Sequence, residues 1–245
     1  SFPTRRSSDL MAPSGNLPQF GDDQDGSTPG QLTTMAAIAA ATTGDREFKW
    51  YAEYSRARRS GLPEESPDSI PLSAFWHVGF EGARAYAAIR PKNPLSTSVL
   101  MGATGFAAMR SDLQPESLHL AVAAADRGPI VTSHGHNNVF SLELHANGVR
   151  FIGEKGPAPY GNTPGRIYDQ KTEAHSCFTV DGMEQVPIID EWRWDGHVIP
   201  CVRRWISEPT HDYFHGVHEG FYRYRRHETL HARKILFVKT DPAYW

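Results

Sequence analysis

Residues 133–185 read SHGHNNVFSLELHANGVRFIGEKGPAPYGNTPGRIYDQKTEAHSCFTVDGMEQ, and this stretch decides the fold class. Within it NVFSLELHANGVRFIGE alternates or runs apolar over strand lengths, with Asn147-Gly148 in the middle. Alternation is the period of a half-buried strand, and Asn-Gly supplies the left-handed positions of a tight hairpin turn, so the segment reads as antiparallel β. His134 and His136 are two residues apart, which on a regular strand puts both imidazoles on one face. Glu154 and His175 lie on later strand-like segments, and a sheet can return either beside His136. Two imidazoles and one carboxylate with an open fourth position form a zinc arrangement. The spacing alone leaves two readings open: a metal site, or surface and hydrogen-bonded structural histidines in a chain that holds 12 His.

Outward from this stretch the same β pattern continues. STSVLMGATGFAAMRSD (96–112), SLHLAVAAAD (117–126), SCFTVDGMEQV (176–186) and HARKILFVK (231–239) have strand length and are separated by Gly, Asn and Asp. HDYFHGVHEGFYRYRRH (211–227), with His211, His215 and His218, looks metal-like in composition, but its alternation predicts a strand pair joined at 216–220. Upstream the period changes. QLTTMAAIAAATTGDREFKWYAEYSRARRSG (31–61) predicts two helices broken at Gly44 and Gly61, the second capped by Thr43 or Asp45 and presenting Phe48, Tyr51 and Tyr54 on one face. A short apolar helix is expected at 73–78, between Pro-bearing links. Helices followed by strands without βαβ alternation predict an α+β chain, with a helical part over 11–95 and an antiparallel β-domain over 96–245.

Both ends have a cut look. Residues 1–10, SFPTRRSSDL, read as an in-frame sequencing-adapter translation rather than a targeting peptide, and KILFVKTDPAYW (234–245) stops just after a strand-like stretch. The expectation is a truncated gene fragment. In composition the chain is near-neutral, with 25 Lys+Arg against 28 Asp+Glu, which gives no reason to expect a nucleic-acid face that works by bulk charge. A 39% hydrophobic content excludes disorder, collagen and coiled coil. No run of eighteen apolar residues is present, so no transmembrane segment is expected. Cys177 and Cys201 do not make a disulfide framework.

The ordered set His134-Gly135-His136, Ser141, Leu144, Gly148, Glu154, Gly156, Tyr160, Arg166, Tyr168, Ala174-His175, Val180-Asp181-Gly182 and Gln185 resembles the C-terminal β-domain pattern of the heparinase II/III-like polysaccharide lyases. PQFGDDQDG (18–26) is similar to a loop late in that family's α-domain, and RKILFVKTDPAYW (233–245) to its R-x-V-L-F-V-K segment before a Tyr-Trp. The resemblance implies an incomplete α/α toroid packed on an antiparallel β-sandwich, with an anionic polysaccharide in the cleft between them. Residue by residue, it implies that His134 is catalytic and that His136, Glu154 and His175 are the ligands of a mainly structural zinc, with no organic cofactor. Three departures stand out: Glu154 and Asn138 each occupy a position where Asp is usual, and Ser176-Cys177 replaces Asn-Thr.

The implied chemistry is β-elimination at a uronic acid: the C6 carboxylate is neutralised, a Tyr or His removes the C5 proton, and an acid, commonly Tyr, protonates the leaving oxygen. Tyr160 and Tyr168 are candidates for the acid or for sugar contacts, with burial in the sandwich as the alternative. Arg110, Arg166 and Asn138 are the substrate-binding candidates, with loop-bracing ion pairs as the alternative for the arginines. Trp192 and Trp194 read as a sugar platform or as an edge-strand or core pair, and Asp22, Asp23 and Asp25 as a structural turn. The family's other catalytic residues lie mostly in the toroid, upstream of the G-D-x-D-D-G loop. A fragment inactive on its own, from a lyase of the bacterial periplasm or cell envelope acting on heparan sulfate-like or alginate-like polymers, is the resulting expectation. A non-catalytic carbohydrate-binding β-domain or inactive paralogue is the alternative. A cupin-type metal enzyme would need a second carboxylate and His in barrel spacing, which the sequence does not offer.

Overall fold

The computed structural model describes residues 11–15, 17–22, 28–57, 69–94, 98–102, 104–126, 134–154, 156–225 and 228–245. The adapter reading of 1–10 and the turn residues Asp23 and Asp25 lie outside them. Helices α1 (Thr28–Thr43) and α2 (Arg46–Ala57) form where the sequence places them. Asp45 Oδ1 accepts the Glu47 amide at 2.8 Å, so Asp45 caps α2. Tyr51 is fully buried, and Phe48 and Tyr54 pack against the same cluster with Leu32, Ala36 and Ala40 of α1. The expected short helix is longer: α3 spans Leu72–Ala88, bent at Gly79 (φ 64°, ψ −166°). The sequence reading stopped at that kink, whereas the run GARAYAA beyond it re-forms helix.

Strands β1 (Val99–Leu100), β2 (Phe106–Arg110), β3 (His119–Ala123), β4 (Leu142–Ala146) and β5 (Val149–Ile152) make one antiparallel meander in that order. Asn147 (φ 51°) and Gly148 (φ 75°) close the β4–β5 hairpin in the left-handed conformation that the dipeptide predicts. A second sheet runs β10 (His231–Val238), β9 (His211–His218), β8 (Cys201–Ser207), and β6 (Ile188–Asp190) pairs with β7 (Arg193–Trp194) as a hairpin. Met109, Leu120 and Val122 from the meander share one core with Phe214, Phe237, Val198 and Trp194, so the sheets pack around a common interior. Among the described residues no helix is long and apolar enough to cross a membrane.

Three expectations change. SCFTVDGMEQV is not a strand: it carries only the isolated bridge Val180–Met183, closed by Asp181 and Gly182 at positive φ. His175 therefore follows a 3-10 turn (Thr172–Ala174) instead of sitting on a strand, and Glu154 lies just past β5. A short helix, α4 (Pro164–Asp169), appears between them, with Thr163 as its side-chain cap and Pro at its first turn, signals that the Gly/Pro-rich surroundings masked. Finally, Gly216 is inside β9 and not in its turn: a Cβ there would meet the Phe140 ring at 2.5 Å, so the glycine admits that ring to the core. The link from β9 to β10 instead contains α5 (Gly220–Arg225).

His218, which ends β9, and His231, which opens β10, are buried together, His218 Nε2 lying 2.7 Å from His231 Nδ1. The Gly220 amide donates to His218 Nδ1, so His218 donates onward through Nε2 and both rings are neutral. Burial pushes their pKa values down to about 3 and about 4, and each is lowered further by the Arg233 charge. The unfolded chain binds protons that the folded chain refuses below the ordinary histidine value. Stability is then complete above about pH 6.5 and falls by about 1.4 kcal/mol per pH unit for each ring until the folded values are reached. Urea midpoints between pH 6.5 and 4.5 should fall more steeply for the natural chain than for His231→Phe, and parallel profiles would contradict this.

Candidate active site

The site is built around Asp22. Its backbone amide donates to the His134 carbonyl at 3.3 Å, and this close approach depends on Gly21. Gly21 has φ +76°, and a Cβ at that position would sit 2.5 Å from the same carbonyl. The loop is thereby stitched to the segment that carries His134 and His136. One Asp22 oxygen, Oδ1, meets His136 Nε2 at 2.7 Å and Arg166 Nη1 at 2.5 Å. The other, Oδ2, meets Arg166 Nη2 at 2.6 Å, His134 Nδ1 at 3.1 Å and the Tyr160 hydroxyl at 3.2 Å. Arg166 thus grips the carboxylate bidentately from α4, and both side chains are buried.

Electrostatics fix the protonation pattern. Burial alone would raise the Asp22 carboxyl, but hydrogen bonds from His136 and Arg166 outweigh it and hold the group well below the ordinary carboxylate range. His136 is lowered by burial, against the pull of Asp22, and is neutral. A neutral ring that donates Nε2–H to Asp22 carries its lone pair on Nδ1, and that buried atom has no hydrogen-bond partner among the described residues. His134 differs in exposure, its side chain being 68% accessible. With Nδ1–H on Asp22, its Nε2 lone pair is presented outward, the Asp-oriented imidazole of a general base. Tyr160 is raised, by burial and by the Asp22 charge, so it keeps its proton, as an acid or hydrogen-bond donor must.

A second group adjoins the first. Glu154 is buried, bonded to Ser141 Oγ through one oxygen and to His175 Nδ1 through the other. That leaves His175 Nε2, like His136 Nδ1, buried and without a partner among the described residues, on rings whose centroids are 5.2 Å apart. Each ring has a carboxylate behind it, Asp22 for His136 and Glu154 for His175, the usual support of a metal-ligating imidazole. Two buried imidazole nitrogens on neighbouring rings are the donor type that a zinc ion takes. Glu154, as placed, orients His175, and among the described residues no three His, Cys, Asp or Glu side chains are grouped as a ready cage.

The structure therefore brings together His134, His136, Glu154, Tyr160, Arg166 and His175 of the sequence-predicted residues. Arg110 is not with them. It is 3% exposed and its Nη1 donates to the Met11 carbonyl at 3.1 Å, so it braces the loop through a backbone carbonyl where an ion pair was the alternative; a side chain so buried has no surface for a sugar. Tyr168 is 43% exposed on α4, two residues past Arg166. Asn138 contributes a turn, its carbonyl accepting the Ser141 amide at 2.9 Å, while its neighbour Asn137 is the one whose side chain bridges Glu184 and Val186.

Sequence reasoning missed Asp22 as the hub, because a lone loop carboxylate has no partner in sequence, and it missed Glu191. Glu191 accepts the Gly161 amide at 3.0 Å and stands 3.8 Å from Arg166 Nε. Trp192 and Trp194 separate: Trp194 is core, whereas Trp192 is exposed and stacked on Tyr160.

Comparison with known proteins gives a consistent picture. The family described as heparinase II/III-like, C-terminal, matches residues 93–245. Among solved structures, the chain superposes on the heparan sulfate lyase HepC from Pedobacter heparinus with a TM-score of 0.65 and 16% identity, covering 94% of this chain and 29% of that one. A crystal structure of heparinase III gives a TM-score of 0.66 at 14% identity, covering 95% of this chain and 31% of that one. The chain thus spans less than a third of the length of these structures. No curated protein matches it significantly.

Proposed function

Because this chain belongs to the heparinase II/III-like family through its C-terminal region, we propose that the Asp22 cluster is one wall of a polysaccharide lyase site that cleaves glycosidic bonds at uronic acids by β-elimination. The observation that carries the reading is His134: an exposed imidazole held by a buried, charge-locked Asp22 beside a protonated Tyr160 whose hydroxyl lies 3.4 Å from the same ring. In this reading His134 Nε2 takes the C5 proton. Tyr160 gives a proton to the leaving glycosidic oxygen, or hydrogen-bonds it. Arg166 does not touch the sugar; it holds Asp22, and Asp22 sets the tautomer and angle of His134.

The polymer is an anionic one, of heparan sulfate-like or alginate-like type, and the full-length protein acts in the bacterial periplasm or cell envelope. The remaining catalytic groups come from the portion of the lyase that this chain does not include, in keeping with its coverage of 29% of HepC. The 245-residue chain alone then yields no unsaturated uronide from heparan sulfate, alginate or hyaluronan, and the full-length protein yields it from at least one of them. A saturated product, formed by hydrolysis, would overturn the reading.

Zinc belongs to the same proposal. It would be held by His136 Nδ1 and His175 Nε2, with Glu154 completing the set only on leaving His175 Nδ1, and bound there it would tie these separate segments together in a structural role. The support is the pair of buried ring nitrogens that have no hydrogen-bond partner among the described residues. Metal analysis of the purified chain should then find about one zinc per chain, with thermal stability falling on chelation. Chain that is metal-free and indifferent to added zinc would contradict the assignment.

A further inference from the structure

We propose that Trp192 is a sugar-stacking subsite that holds the pyranose adjacent to the cleaved bond. This rests on the lyase reading of the Asp22 cluster and extends it to substrate positioning. Trp192 is at the tip of the β6–β7 hairpin and remains 39% exposed, while Trp194 in β7, paired with Ile188, is fully buried. Its ring stacks on Tyr160 at 5.3 Å between centroids, with the planes 27° apart. The Arg166 guanidinium lies 4.9 Å from the Tyr160 ring, so the same arginine that locks Asp22 supports the tyrosine on which Trp192 rests.

The tip is also rigid, which a stacking platform requires and a free surface aromatic lacks. The Trp192 amide donates to Asp190 Oδ1 at 2.9 Å. On the preceding residue, the Glu191 carbonyl accepts Gln170 Nε2 at 2.8 Å and the Glu191 carboxylate accepts the Gly161 amide. Gln170 and Glu191 are both buried, so the hairpin tip is fixed to the segment that carries Tyr160 and Arg166. An exposed, pre-oriented indole beside a hydroxyl and an imidazole of reactive geometry suits the flat C–H face of a pyranose. Its contribution is apolar and does not depend on the charge of the polymer.

The test is the affinity of the 245-residue chain for a heparan sulfate hexasaccharide, by calorimetry, for the natural sequence, Trp192→Ala and Trp192→Phe. Trp192→Ala is expected to raise Kd about tenfold and Trp192→Phe to restore most of it. The ratio should hold when salt is raised from about 0.1 to 0.5 M, because stacking is not screened as ionic contacts are. Unchanged Kd in Trp192→Ala, a ratio that collapses at high salt, or no binding by the natural chain would each overturn the subsite. An alanine variant that binds normally but slows turnover in the full-length protein would make Trp192 only a support for Tyr160, and would also overturn it. The lyase reading fails separately, on the absence of unsaturated product, so the two outcomes are distinguishable.

Discussion

Replacing Arg166 with Met is expected to cost the folded chain about 3–5 kcal/mol, the range for removing one member of a buried, hydrogen-bonded ion pair. The reason lies in what is left behind. Asp22 and Arg166 are each at most 2% exposed in their side chains, and the guanidinium supplies both of the shortest contacts to the carboxylate. Without it Asp22 keeps its charge in a site with little water, and Glu191, 3.8 Å from Arg166 Nε, loses the same cation. Asp22→Asn should also destabilise, because it strands the guanidinium. The double variant Asp22→Leu/Arg166→Met should recover part of the loss, since no unpaired charge remains. Urea unfolding of the natural chain, both single variants and the double variant measures this coupling. A loss below about 1 kcal/mol for Arg166→Met would place the pair among ordinary surface contacts and contradict the burial argument.

Much of this was legible beforehand, and for identifiable reasons. Asn147-Gly148 fixed the β4–β5 hairpin because two left-handed residues in a row admit few other structures. The α2 face was readable from Phe48, Tyr51 and Tyr54, since helical spacing and burial coincide there. The run SCFTVDGMEQV misled because apolar residues beside an Asp-Gly turn look the same whether or not a partner strand exists. At the site, His134 and His136 both meet Asp22, but from a loop and not from the strand that their spacing suggested, one ring exposed and the other buried. Asp22 was not legible, since its partners stand 112 to 144 positions away and only the fold reveals that one carboxylate serves them all. Trp192 and Trp194 differ by two residues, a spacing that on one regular strand would put both on the same face; Trp192 instead lies in the turn before β7, so one ring is in the core and the other outside, which alternation could not foretell.

The second large effect concerns His134. Its side chain is mostly exposed and, among the described residues, meets only Asp22 and Tyr160, so His134→Ala should leave thermal stability nearly unchanged. Turnover is a different matter. A positioned general base typically contributes about 10²–10⁴-fold to the rate, and the loss should fall on kcat, because binding of the polymer relies on other groups. His134→Gln should rescue little, since an amide keeps a hydrogen bond but cannot accept the proton. Asp22→Asn should also lower kcat, through the orientation of His134, and it differs from His134→Ala in lowering stability as well.

The most direct measurement is unsaturated-uronide formation from heparan sulfate, alginate and hyaluronan by the full-length protein, natural sequence against His134→Ala, with unfolding midpoints recorded on the same samples. The expected result is turnover of at least one polymer by the natural protein, reduced at least about a hundredfold in the variant with the midpoint unmoved. Turnover that survives the substitution, at equal stability, would contradict the assignment of the Asp22–His134–Tyr160 cluster as the reacting wall of the cleft.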